Sequence, residues 1–170
     1  MAFRKESVQQ IPHAGKTLKF DVGEVDLVDL CYWKDNIRIR SKLRKLDQDV
    51  ITDEDCFEHM WNKTGDSIKQ LKGQIQRDGG LKEPIIIDFS PPHDDNYATK
   101  YMVYEGNRRL TCLKALMEEN YAKWSKCRAI LFSKKTSDSL KLGFIKELSI
   151  NLKEAWSPYE KSLKIKEEVE

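Results

Sequence analysis

Cysteine is scarce and scattered in this chain: Cys31, Cys56, Cys112 and Cys127 stand far apart, and no C-x-x-C pair occurs. A disulfide framework or a zinc centre needs closer or paired spacing, so the four read as reduced, mostly buried thiols. Histidine is scarcer still. His13, His59 and His93 stand alone, and no metal site is read from them. No apolar run approaches the roughly 18 residues of a membrane helix. The opening stretch MAFRKESVQQIPHAGK lacks the apolar segment of a secretory signal. The expectation is a cytoplasmic protein with no membrane partner. Nor does charge of one sign dominate: 30 basic against 28 acidic side chains leave +2. That balance neither announces nor excludes a nucleic-acid partner, because clustering matters more than the sum.

The 170 residues suffice for one domain with a core, or a domain with an appended element. Residues 1–20 are polar with little periodicity and are expected as a loose arm or an edge strand. DVGEVDLVDLCYW predicts a first strand around Val25–Leu30. The basic stretch KDNIRIRSKLRKLDQ that follows is either a solvated linker or part of an anion-binding surface. TDEDCFEHMW predicts a helix with Thr52 as N-cap, and SIKQLKGQIQRDGG a second one stopped by Gly79-Gly80. KEPIIIDF and YMVYEG predict two strands, neighbours in one sheet, joined by the polar loop SPPHDDNYATK. Leu110, Leu113, Leu116 and Met117 fall at helical spacing, and CRAILF predicts another strand. SDSLKLGFIKELSINLKEAW and SPYEKSLKIKEEVE read as helices, the second opening on Ser157, Pro158 and Glu160 as a capping box. The pattern breaks off at Glu170 without a C-cap, so this helical extension is expected to be truncated before further domains.

One stretch carries chemistry. In YMVYEGNRRL a strand meets a helix at Gly106, and Asn107, Arg108 and Arg109 open the helix. Glycine lets the backbone approach a bound group, and the first helical N–H groups have no partner within the helix. Those donors and the positive end of the helix dipole favour an anion, and two guanidinium forks suit phosphate oxygens. The dipole favours acidic residues at that end, so two adjacent cations there cost stability unless an anion or Glu105 offsets them. Phosphate binding is the leading reading. Solvated arginines, or a structural pairing with Glu105, are the alternatives.

DGGLKEPIII followed by YMVYEGNRRLTCLKAL resembles the N-terminal domain of ParB-type chromosome and plasmid partition proteins, within the ParB/sulfiredoxin fold. Gly80-Leu81-Lys82-Glu83-Pro84 is similar to the family's Gly-Leu-x-Gln-Pro, with Glu83 for the glutamine. Gly106-Asn107-Arg108-Arg109 is similar to its Gly-Glu-Arg-Arg turn, with Asn107 for the glutamate. Asn36 and Arg38 take the outer places of the family's Asn-Pro-Arg or Gln-Pro-Arg ending. Asn151, Pro158 and Glu160 correspond to its third box, with Ile150 in the place of an acid. The resemblance implies a small mixed α/β sheet flanked by helices, with a phosphate-binding domain over 21–135 and a helical extension over 136–170. It implies a nucleoside triphosphate, CTP or ATP, held by Gly106, Asn107, Arg108 and Arg109 with Arg38 as a helper. Mg²⁺ would lie near Asn151, and Asn36 would stand where hydrolysis is linked to the pocket. The implied activity is a nucleotide-dependent switch or clamp in a homodimer. It would act on DNA, directly or through a further domain, in partition, mobile-element maintenance or defence, associated with the nucleoid. Whether the triphosphate is turned over stays open.

Three alternatives accompany this reading. A metal-dependent nuclease would draw ligands from His93-Asp94-Asp95-Asn96. A small-molecule kinase would use Glu105 as its base. A nucleotide-free adaptor would place the arginines on DNA backbone phosphates.

Overall fold

The computed structural model describes residues 3–33, 52–63, 66–89 and 101–150. Asn36, Arg38 and Asn151, the 93–96 loop and the capping box at 157–160 lie outside them. A six-stranded mixed sheet forms the centre. Its strands are β1 (Phe3–His13), β2 (Lys16–Asp26), β3 (Leu30–Tyr32), β4 (Ile85–Phe89), β5 (Tyr101–Glu105) and β6 (Lys126–Phe132), in the spatial order β1-β2-β6-β4-β5-β3. β4 runs parallel to β6, and β3 runs parallel to β5; the other neighbours are antiparallel. The helices are α1 (Asp53–Lys63), α2 (Asp66–Asp78), α3 (Asn107–Glu119), α4 (Tyr121–Trp124) and α5 (Asp138–Ile150).

The mixed α/β class expected from the sequence is what the chain adopts. The run of isoleucines in β4 has a simple cause, because both faces of the strand are covered. Ile85 and Ile87 enter the core beneath α1 to α4, while Ile86 enters a second core beneath α5. β6 divides likewise, with Ala129 and Leu131 on the first face and Ile130 and Phe132 on the second. Phe144, Ile145 and Leu148 close the second face from α5.

Several local signals act as read. Thr52 caps α1: its Oγ1 accepts from Asp55 N at 3.1 Å, and Asp55 Oδ2 accepts from Thr52 N at 3.0 Å, a reciprocal box. Gly79, with φ at 75°, ends α2, and Gly80 N donates to Ile75 O at 3.2 Å in a Schellman arrangement. β4 and β5 are antiparallel neighbours.

Of the loose arm and the edge strand expected over residues 1–20, the edge strand is what forms: β1 lies at the edge of the sheet, and β2 begins at Lys16. The two-residue turn between them holds Ala14 and Gly15 at φ 50° and 75°, the signs that a hairpin turn matching strand twist requires. The strand read around Val25–Leu30 is split. β2 ends at Asp26, a single 3₁₀ turn spans Leu27–Asp29, and β3 starts at Leu30. The break lets the chain leave β6 and cross to β5 at the opposite edge, and Leu27 N is held by Ser125 O at 2.8 Å.

A buried ion pair locks α5 to the sheet. Lys141 Nζ donates to Asp88 Oδ2 at 2.8 Å, with side chains 9% and 7% exposed, and Asp88 Oδ1 has no partner. Removing one member strands a charge in the core, whereas replacing both by apolar groups does not. Lys141→Ala is therefore expected to cost about 3 kcal/mol. Asp88→Leu with Lys141→Met should unfold in urea within about 1 kcal/mol of the natural chain. A double variant as unstable as the single one would contradict this.

Candidate functional site

β5 delivers the chain to Gly106, whose φ of 103° and ψ of 26° reverse its direction so that α3 starts at once. A Cβ at this position would lie 2.7 Å from Ile85 Cγ2, so the left-handed backbone and the strand beside it both demand glycine. The first helical hydrogen bond runs from Leu110 N to Gly106 O at 2.8 Å. The N–H groups of Asn107, Arg108 and Arg109 thus precede any intrahelical acceptor. No side chain caps them, and the first turn holds no acid.

The two arginines do different things. Arg109 is turned into the protein: its Nη1 donates to Glu83 O at 2.8 Å and to Pro84 O at 3.2 Å. Two carboxylates flank it, Glu83 Oε2 at 3.8 Å and Glu105 Oε1 at 3.9 Å, and its side chain is 15% exposed. Arg109 therefore clasps the segment before β4 to the turn after β5, and its charge is locally offset. The two stretches that carry the resemblance, 80–84 and 106–109, are neighbours through this side chain. Glu105, considered as a base, is engaged with Arg109.

Arg108 faces the other way. Its Nη2 donates to Ser67 Oγ at 2.9 Å, and its Nε is shut off from water without an acceptor. α2 and α3 lie side by side here, since Cys112 Sγ also donates to Ile68 O at 3.5 Å, so the N-terminal turns of both helices adjoin Arg108. A cleft of about 480 Å³ extends from Arg108 along α2, lined by Ser67, Gln70, Leu71, Gln74 and Arg77, with no carboxylate among these residues. Positions 67, 70, 74 and 77 are one polar stripe on a helix. The sequence carries that stripe plainly, yet attention to Ile68, Leu71 and Ile75 on the apolar side passes it over.

Asn107 is 5% exposed, and its Oδ1 is buried without a partner. Its main-chain oxygen accepts from Thr111 Oγ1 at 2.9 Å, and Thr111 in turn meets the Tyr32 hydroxyl at 2.8 Å. Burial raises the Tyr32 phenol well above its ordinary value, so this chain of contacts stays neutral. A half-turn of the Asn107 amide exchanges the orphaned oxygen for an N–H₂ donor. Free main-chain N–H groups, a guanidinium and a convertible amide form a set that fits an anion.

The thiols take no part. None of the four cysteines is in a disulfide and all are buried, and burial pushes Cys112 up to about 11 and Cys127 up to about 12. Such thiols are weak nucleophiles at neutral pH. Among the described residues no three His, Cys, Asp or Glu side chains gather as a metal site, and no helix is long and apolar enough to cross a membrane. No protein-family model, curated protein or solved structure matches the chain.

The arginines predict opposite phenotypes. Arg109→Ala leaves two carbonyls without their charged donor and is expected to cost about 2–3 kcal/mol of stability. Arg108→Ala should stay within about 1 kcal/mol. Gly106→Ala combines a left-handed alanine with a clash on Ile85 and should cost roughly 2–4 kcal/mol. Urea midpoints measure all three, and equal losses for Arg108 and Arg109 would contradict the division.

Proposed function

We propose that the chain is a phosphate-binding module in which the start of α3 holds the phosphates of a nucleoside triphosphate. The observation that carries this reading is the uncapped N-terminus of α3, where three main-chain donors lie beside Arg108 and Asn107, whose buried Oδ1 has no partner. In such a site the helix dipole and the N–H groups act on the anion together. Arg108 supplies the charge, Asn107 a reorienting donor, and Gly106 the close backbone approach. Arg109 acts by fixing the turn.

The resemblance to partition proteins extends the proposal. The ligand is CTP or ATP, accompanied by Mg²⁺, and the chain works as a nucleotide-dependent switch of a homodimer associated with DNA in the cytoplasm. Those finer assignments, with the roles of Arg38, Asn36 and Asn151, rest on the sequence motifs alone. A nucleotide-free DNA adaptor is the second reading, favoured by the open, acid-free cleft between Arg108 and Arg77.

Calorimetric titration with CTP, ATP, GTP and ADP, with and without Mg²⁺, tests the proposal. One triphosphate should bind saturably, and Arg108→Ala should weaken it at least about tenfold, the loss of one charge-assisted hydrogen bond. If no nucleotide binds but DNA does, with an affinity that falls steeply as salt rises, the adaptor reading replaces it.

A further inference from the structure

A second cleft, of about 580 Å³, lies between the 3₁₀ turn and β3 on one side and α1 and α3 on the other. It is separate from the start of α3: α3 lines it through Lys114, Met117 and Glu118, near its far end. Its floor is apolar, made by Leu30, Phe57 and Met117, and Val28 at its edge is 50% exposed.

Asp53 and Glu54 sit in the first turn of α1, where the helix dipole favours acids, but the remaining charges around this floor lack that support. Glu54 and Glu58 stand four residues apart on α1, a spacing at which like charges repel. Glu118 stands in the last turn of α3, where the helix dipole disfavours an acid and where no basic residue offsets it. Its neighbour Glu119 is ion-paired with Lys72, whereas Glu54, Glu58 and Glu118 have no such partner among the described residues. Asp53 adds a fourth carboxylate, and its Oδ1 accepts from Tyr32 N at 3.3 Å. The one cation among the described lining residues, Lys114, lies over the Tyr32 ring with its Nζ 4.7 Å from the centroid. Glu54, Glu58 and Glu118, around an apolar floor, select a ligand that is apolar and cationic at once.

We propose that this cleft docks a basic amphipathic segment of a partner protein. An aliphatic or aromatic side chain of the partner seats on Leu30, Phe57 and Met117, and its flanking Lys or Arg side chains meet Glu54, Glu58 and Glu118. Docking relieves the repulsion that the free chain carries.

Fluorescence anisotropy of a dye-labelled amphipathic helix of leucine and lysine, titrated with the whole chain, tests this. The control is the same peptide with glutamate for every lysine. The cationic peptide should bind saturably at one per chain, and the anionic one should not bind. The Glu54→Gln/Glu58→Gln/Glu118→Gln variant should weaken binding at least about tenfold, and Met117→Ser, which leaves the charge unchanged, should weaken it several-fold. The triple variant should melt no lower than the natural chain, so that its loss of binding is not a loss of fold. No saturable binding, or unchanged binding by the triple variant, would overturn the proposal. So would binding that emerges only after Arg38, Arg40, Arg44 and Lys45 are changed to Gln, which would assign the cleft to the chain's own basic stretch. A dimer of the free chain that the triple variant dissociates would assign it instead to a second copy.

Discussion

Gly106 sits in a left-handed conformation hard against Ile85, and that one contact sets the geometry around it. It fixes the angle at which β5 becomes α3, and so aims the free N–H groups of α3. It also brings Arg109 within reach of the Glu83 and Pro84 carbonyls. The segment entering β4 is then tied to the turn leaving β5, two strands that already pair antiparallel. α3 inherits its position from this clasp and packs Leu110, Leu113 and Leu116 over the sheet. Arg108 is left projecting toward α2 because Arg109 is committed elsewhere. The division of labour between adjacent, chemically identical side chains follows from the 100° between successive helical positions.

The two faces of the sheet differ in how they are held. Beneath α1 to α4 the core is almost entirely apolar, and the Tyr32 and Thr111 hydroxyls within it meet each other. Beneath α5 a charged pair, Asp88 with Lys141, is buried among Phe132 and its neighbours. A buried pair of this kind contributes little net stability but penalises every alternative seating of α5 that would separate the charges. The first face thus supports the turn at Gly106 by packing, and the second fixes one register for α5.

Much of this was legible in the sequence where a local rule decides the outcome. The Thr52 cap, the Gly79 stop, the apolar strand β4 and the glycine before α3 each depend on residues within a few positions of one another. An edge strand was among the readings of this stretch, but the hairpin of β1 and β2 escaped because its turn is Ala-Gly rather than Asn-Gly, and because β1 buries Ile11 alone and so shows little alternation. The split at Leu27 escaped because its cause is a change of partner strand, which no local pattern encodes. At the site, the turn itself was legible, but the role of Arg109 was not. Its acceptors are main-chain carbonyls 25 and 26 residues earlier, and carbonyls have no sequence signature. Ser67 and Arg77 became part of the site only when α2 was laid beside α3.

The central claim is that the start of α3 receives an anion, and main-chain N–H resonances report on it directly. Titrating inorganic triphosphate into the ¹⁵N-labelled chain should move the amides of Asn107, Arg108 and Arg109 together and saturably, with smaller changes at Ser67. Amides at 107–109 that stay fixed while others move, or a spectrum that does not change at all, would contradict the account.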